Sequence, residues 1–390
     1  MKILYIGSEP VPGNKGGSIH FMEVSQGLAK LGHEVVVCVP KEKGMPKNEV
    51  LDGVRIIRVG MRFARRTMPI LALKKWGILK KENPDIIMER FVSFGGAGAL
   101  LAKKLNLPFV LEVNSPHTEE LIYRFNIKNR LLATLFRKWR NFQYSVATKV
   151  LVTLESVVPE FARDRFCKVE WAANCDLFDK DKTSVRERDL LRVKLGLRGS
   201  PVVVFLGSFR NWHGVRHLSQ IISKVVSEIP HAKFLLIGDG PERKSVEEEI
   251  KVAGLKESVV FLGEVPYASV PGYLSLAELG IAPYDCSEYP PLERFGFFWS
   301  PLKIFEYMSC SLPVVTINID PLNNIVKDGV RGHLVDEGDW DGFAKKIIKM
   351  LESSANCRIM GESAKNFVTA NYSWKKHVEG LNSILTDLYG

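Results

Sequence analysis

The chain has 390 residues, 46% hydrophobic and 25% charged, with a formal net charge of +10. That balance excludes a disordered or fibrous chain, and the length favours two domains over one. No segment reaches the ~20 consecutive apolar residues needed to span a bilayer. The opening MKILYIGSEP has one lysine before a short apolar run and no small-residue cleavage site, so it reads as a first strand and not an export signal. Next come strand-like runs at 2–7 (KILYIG), 34–40 (EVVVCVP), 54–59 (VRIIRV), 85–89 (DIIME), 108–113 (PFVLEV) and 149–153 (KVLVT). Several lack polar alternation, as strands covered on both faces do. Between the first two, Ile19, Met22, Leu28 and Leu31 share a helical face that stops at Gly32.

The charged stretch around 174–201, ending in Gly-Ser-Pro, reads as a linker or short connecting helix. The strand theme then restarts at 201–207 (PVVVFLG), 233–238 (KFLLIG), 258–263 (SVVFLG), 279–284 (LGIAPY) and 312–317 (LPVVTI), with two helices over 339–371 and a last one at 372–390. The expected architecture is α/β, with two doubly wound Rossmann-like domains, 1–175 and 176–371, facing a cleft. Helix 372–390 is expected to pack back on the first. In such sheets ligands lie beyond the carboxyl ends of the strands. The six cysteines, with no Cys-x-x-Cys spacing, read as reduced core residues of a cytoplasmic protein.

In SPLKIFEYMSCSLPVV (300–315), Ser300 suits an N-cap and Pro301 a first helical residue, so the free N–H groups there face an anion. At 100° per residue Leu302, Ile304, Phe305 and Met308 share one side, and Lys303, Glu306, Tyr307 and Cys310 the other. Two readings stay open: a Glu306 carboxylate turned to the cleft, suited to the two hydroxyls of a ribose, or a surface pair with Lys303 contributing about 0.3 kcal/mol.

The same stretch resembles the nucleotide-binding signature of family-four GT-B glycosyltransferases, a Glu-x7-Glu pattern whose second glutamate falls on Glu306. The resemblance covers nearly the whole chain. GNKGGSIHFMEVSQGLAKLGHEVVV is similar to the N-terminal Gly-Gly loop, with Gly16 and Gly17 at the close approach to donor and acceptor. FLGSFRNWHGV resembles the phosphate loop, with Gly207, Ser208 and His213; LLIGDGPER matches a Gly-x-Gly-x-Glu turn at Gly238; VVFLGEVP ends at Glu264 and Val265 near the base; and NYSWKKH is similar to the final crossing helix.

This implies a retaining, hexosyltransferase-like enzyme that takes a nucleotide-diphosphate sugar, with the donor on the second domain and a glycan, lipid-linked or small-molecule acceptor on the first. No cofactor and no metal are implied. The first family glutamate falls on Phe298, and the phosphate-loop Arg and Lys fall on Ser208 and His213. Arg210, Lys303 and the backbone amides of Ser300, Pro301, Leu302 and Lys303 are the expected substitutes, although proline supplies no N–H. Asn114, where the family often has a histidine, and His117 are candidates for contact with the transferred sugar, with Glu112 or Glu119 to orient them. Two other classes stay open: a catalytically silent nucleotide-sugar-binding or scaffold protein, and a nucleotide-sugar epimerase of the same architecture.

The charge is local. Residues 53–81 hold nine Lys or Arg and 121–154 hold seven, neither window with an acid. Segments 61–66 (MRFARR) and 130–142 (RLLATLFRKWRNF) suit a helix on an anionic membrane surface, hence a cytoplasmic protein peripheral to the inner face; the other reading is a core helix with solvated basic edges. No motif points to nucleic acid.

Overall fold

The computed structural model describes residues 1–13, 15–60, 77 and 79–390; the basic segment 61–66 lies outside them. The chain forms two compact units. One comprises Met1–Trp171, Phe298–Ser300 and Trp374–Gly390, the other Ala172–Phe297 and Pro301–Ser373.

The first unit is built on eight strands: β1 (Lys2–Ile6), β2 (Glu34–Lys41), β3 (Asn48–Leu51), β4 (Val54–Gly60), β5 (Ile86–Arg90), β6 (Phe109–Val113), β7 (Lys149–Val152) and β8 (Phe166–Lys168). They lie in the order β3-β4-β2-β1-β5-β6-β7-β8, and every pairing is parallel except β3 with β4. That exception is a hairpin closed by Asp52-Gly53, whose φ angles of +49° and +81° suit a two-residue turn. Residues Ile3–Ile6, Val35–Val39 and Ile86–Met88 are buried throughout, as strands covered on both faces must be.

Helix Gly16–Lys30 links β1 to β2 and ends before Gly32, which takes the left-handed φ of +89°. The C-terminal helix Trp374–Tyr389 packs on it. Close approach is possible because position 27 is glycine: a Cβ there would come within 2.5 Å of the Val378 Cγ2 methyl. Beside it, His33 Nε2 lies 2.6 Å from Asn382 Oδ1.

The second unit holds six parallel strands: β9 (Val202–Leu206), β10 (Lys233–Ile237), β11 (Val259–Gly263), β12 (Leu279–Ala282), β13 (Val314–Ile317) and β14 (Gly332–Val335). Their order, β11-β10-β9-β12-β13-β14, places a topological switch point between β9 and β12. On one face of the sheet, Val203, Phe205, Phe234 and Ile281 join Ile221, Ile222, Phe343 and Ile347 of the covering helices in a continuous core. The charged stretch expected as a linker contains helix Val185–Lys194, started by a reciprocal capping box between Ser184 and Glu187. Among the described residues no helix is long and apolar enough to cross a membrane.

Gly27→Val should force its side chain into Val378 and lower stability by about 1–3 kcal/mol. Urea unfolding of both proteins checks this; unchanged stability would mean that the two helices are not held this closely.

Candidate active site

At the switch point of the second unit the β9–β12 ladder ends, its last pair being Phe205 with Ile281. The Leu206 N–H left over donates to the Tyr307 hydroxyl (2.6 Å), which lies 3.3 Å from Ile281 O as its own acceptor. Tyr307 sits on helix Leu302–Ser309 and its ring packs over Gly280, where a Cβ would lie 2.5 Å from it. This anchoring fixes the helix against the strand ends and sets the positions of Lys303 and Glu306.

Lys303 is only 7% exposed, and its Nζ has no hydrogen-bond partner. The ammonium lies 4.6 Å from the centre of the Phe205 ring and 5.0 Å from that of Tyr284, so two aromatic faces are its main company. It also fills the space beside Gly207, where a Cβ would be 2.7 Å from Nζ. Burial lowers its pKa to about 7, against the pull of Glu306. Glu306 is buried as well; burial raises it to about 8, although a hydrogen bond with the Tyr267 side chain and the charge of Lys303 favour ionisation. The second side of this helix is therefore not a surface: Lys303, Glu306, Tyr307 and Cys310 are all buried, because Tyr307 packs on the sheet while helix Ser354–Asn371 packs on the helix. Lys303 and Glu306 do not form a surface pair.

The helix also starts later than expected. Pro301 is its N-cap and Leu302 its first residue, and no side chain caps it. The Ser300 hydroxyl instead accepts from the Trp171 N–H at 3.1 Å.

Gly207 and Ser208 follow β9, and Gly238 follows β10 with φ +128°. A Cβ at Gly238 would lie 2.0 Å from Gly207 O, so the two loops cross in backbone contact. The His213 ring Nδ1 lies 2.7 Å from Ser208 O and 3.2 Å from Ser208 Oγ. Burial, reinforced by Lys303, holds His213 well below its ordinary pKa. A neutral ring whose Nδ1–H donates to a carbonyl presents a lone pair at Nε2, so His213 offers an anion no proton unless it first gains one. Arg210 is half-buried, with its guanidinium carbon 5.2 Å from the Trp212 ring centre. Glu264 is exposed and Val265 half-buried, just past β11.

In the first unit, Gly16 and Gly17 open helix Gly16–Lys30; Asn14 of the same motif lies outside the described residues. Gly17 O accepts from Arg90 Nη1 at 2.7 Å, and a Cβ on Gly17 would lie 2.9 Å from that nitrogen. Arg90 ends β5, with Glu9 Oε2 at 3.5 Å and Trp171 facing its guanidinium at 5.2 Å. Glu112 of β6 takes the Tyr5 hydroxyl and the Asn114 amide (2.6 Å) and lies 2.7 Å from His20 Nε2. Burial opposes its ionisation, but His20, Arg90 and Tyr5 together hold the carboxyl far below the usual range. Asn114 Oδ1 accepts from Trp171 Nε1 at 2.9 Å, so both ends of this amide are engaged within the unit.

His117 is the first residue of helix His117–Arg124, and its Nδ1 accepts from the Ser93 N–H (3.1 Å) with Ser93 Oγ at 2.8 Å. Its proton is therefore on Nε2. Burial lowers its pKa. Glu119 pairs with Arg137 and Arg140. His20, Ser93, Trp171 and Tyr267 were not singled out in the sequence, since each acquires its partner only through the fold. Among the described residues no three His, Cys, Asp or Glu side chains converge as a metal site.

Residues 14–170 match the family model for glycosyltransferase family 4, and residues 200–353 the model for glycosyl transferases group 1. The chain is 24% identical to the N-acetyl-alpha-D-glucosaminyl L-malate synthase of Bacillus anthracis, across 99% of this chain and 97% of that one. Its fold is similar to that of the sucrose-phosphate synthase from Thermosynechococcus elongatus (TM-score 0.77, 18% identity, 100% and 99% covered). It is likewise similar to Anabaena HepE in complex with UDP-glucose (TM-score 0.76, 17% identity, 99% and 100% covered). The chain belongs to the group 1, family-four glycosyltransferases and has the GT-B fold.

An unpartnered buried cation has a stability cost with a definite sign. With Lys303 lowered to about 7 from the ordinary 10.5, folding favours the neutral amine. The cost is complete below about pH 7 and fades as the unfolded lysine also loses its proton near pH 10. Lys303→Met should therefore be more stable than the parent at pH 6, by on the order of 2 kcal/mol. The gap should narrow by pH 9. Urea unfolding at the two pH values measures it, and a gap independent of pH would refute the assignment.

Proposed function

We propose that the protein moves a sugar from a nucleoside-diphosphate sugar to a hydroxyl of a glycan, lipid or small-molecule acceptor, with retention at the anomeric carbon. The observation that carries this reading is the Lys303 ammonium, buried at the end of β9 with no hydrogen-bond partner. Such a group is the complement of an anion, and it lies on the same short helix as a buried carboxylate, Glu306. In this reading Glu306 accepts the two ribose hydroxyls and Lys303 receives the diphosphate, with Arg210 and the N–H groups that open helix Leu302–Ser309. Gly207, Ser208 and Gly238 let the loop backbones approach the phosphates, while Glu264 and Val265 line the base. UDP-glucose bound to a protein of the same fold supports this donor class.

In the transfer, the bond between the anomeric carbon and the distal phosphate oxygen breaks and the acceptor oxygen bonds to the same face of the sugar. The acceptor proton leaves to the departing diphosphate or to solvent. The negative charge that develops on the diphosphate meets Lys303, Arg210 and the helix start, a preorganised arrangement that invokes no metal ion. The acceptor is assigned to the first unit, with His117 presenting its Nε2–H and Asn114 held by Glu112 and Trp171. Retention is part of this proposal, taken from the resemblance of the nucleotide-binding stretch to retaining enzymes, and a cytoplasmic site of action belongs to the same reading.

A second reading, a silent nucleotide-sugar-binding protein, is favoured by one feature: Phe298 is fully buried where the family carries its first glutamate. Incubation with labelled nucleotide sugars and a panel of acceptors separates the two, since binding without hydrolysis or transfer supports the silent protein. Glu306→Ala should leave the fold intact and weaken nucleotide binding at least tenfold, about the loss of one charged hydrogen bond. Calorimetry with UDP, GDP and ADP measures this, and unchanged affinity for the nucleotide that binds removes the ribose role. Lys303→Ala should lower turnover by about 10²-fold, the scale for one lost electrostatic contact in the transition state; turnover at the parent's rate would exclude Lys303 from leaving-group stabilisation.

A further inference from the structure

Among the described residues, five of the exposed large hydrophobic side chains fall between positions 123 and 135: Tyr123, Phe125, Leu131, Leu132 and Leu135. Elsewhere such residues are scattered, or, like Val185, Leu190 and Val193, interleaved with charges of both signs such as Arg186, Glu187 and Asp189. On helix Arg130–Val146, Leu131 (78% exposed), Leu135 (61%) and Lys138 stand at i, i+4 and i+7, forming one outward stripe.

The helix cannot turn to hide that stripe, because its other side is fastened down. Ala133, Gln143 and Tyr144 are buried, and Trp139 Nε1 donates to Gly95 O at 2.9 Å. Arg137 Nη2 donates to Glu119 Oε2 at 2.8 Å, and Arg140 Nη1 to Glu119 Oε1 at 3.1 Å. These two arginines, counted among the membrane-facing charges in the sequence, are spent internally. The exposed cations are Arg124, Lys128, Arg130 and Lys138, and no acid occurs from Leu121 to Leu154.

We infer that this face of the first unit docks on an anionic lipid bilayer. Phe125, Leu131 and Leu135 enter the boundary between headgroups and acyl chains, while Arg124, Lys128, Arg130 and Lys138 meet lipid phosphates. Exposed leucines gain by leaving water, and an acid-free set of cations gains by meeting anions. A bilayer with anionic headgroups supplies both in one surface. A nucleic acid backbone would answer the charges but leave the leucines in water. The inference rests on the first unit alone and stands apart from the donor assignment.

The test is co-sedimentation of the full chain with vesicles of phosphatidylcholine alone and with about 30% phosphatidylglycerol. The expected result is binding to the anionic vesicles only, released at about 0.5 M salt. Both Leu131→Ser/Leu135→Ser and Lys128→Glu/Arg130→Glu/Lys138→Glu should lower the partition coefficient about tenfold or more. Circular dichroism shows whether each variant is folded, and the charge variant, confined to exposed positions, serves if the leucine variant is not. Binding that ignores the anionic lipid, survives in folded variants, or is absent from the parent overturns the proposal. So does ultracentrifugation showing that the leucine substitutions dissolve a dimer of the parent, because the face would then be a contact between protein copies.

Discussion

A buried ammonium with no hydrogen-bond partner, held at the carboxyl end of β9, is the constraint on which the second unit turns. Lys303 has no freedom to seek water: its helix is tied to the sheet by the Tyr307 hydroxyl, which takes the Leu206 N–H where the ladder stops. The space it occupies exists because position 207 is glycine and because Phe205 and Tyr284 offer ring faces. Core packing thus holds in place a charge that the core itself does not neutralise. A scaffold built only for stability would have placed an apolar side chain here, or paired the charge.

The two units share a parallel topology but treat the ends of their strands in opposite ways. In the first, Glu89 at the end of β5 takes the N–H groups of Gly96 (2.6 Å), Gly98 (2.8 Å) and Ala99 (3.4 Å), supplying from within the chain the anion that the start of helix Ala97–Leu105 attracts. Burial raises this carboxyl to about 7 even against those amides. Glu112 is likewise surrounded by donors. In the second unit the corresponding helix, Leu302–Ser309, has no capping side chain, and the nearby cation is unpaired. The start of helix Leu302–Ser309 and the buried Lys303 are therefore left without a hydrogen-bonded anion from within the chain, whereas Glu89 and Glu112 of the first unit already have their donors.

The strands were legible because burial on both faces leaves plain apolar runs, and β1, β2, β9 and β10 lie within a residue or two of where those runs suggest. Strand β3 was missed, although Asp52-Gly53 before VRII is a hairpin signal readable in the sequence. Strands β8 (FCK) and β14 (GHLV) are too short to show a pattern. In the candidate site the order of motifs pointed to Lys303 and Glu306, but a helical wheel says only which side is apolar. It cannot say that the other side is covered too, because Tyr307 meets strands 26 and 101 residues away in sequence. The start of the helix was misplaced for a similar reason: Ser300 is drawn to Trp171, 129 residues distant. The His213 tautomer depends on Ser208 O, which no side-chain pattern encodes.

Phe298 gives a physical reading of the chain's main departure from its family. The residue groups with the first unit, its ring fully buried near Trp299 (centroids 5.1 Å apart), while its carbonyl accepts from Thr153 Oγ1 at 2.6 Å. Burying such a ring contributes roughly 1.5–3 kcal/mol, whereas a carboxylate in the same surroundings would need donors to offset its desolvation. Phenylalanine thus packs this segment into the first unit. The position holds no charge, and the buried ionisable groups of this stretch are Lys303 and Glu306, whose pKa values burial moves toward neutrality from opposite sides. Two buried ionisable groups perturbed in this way on one short helix are the kind of environment in which functional sites concentrate.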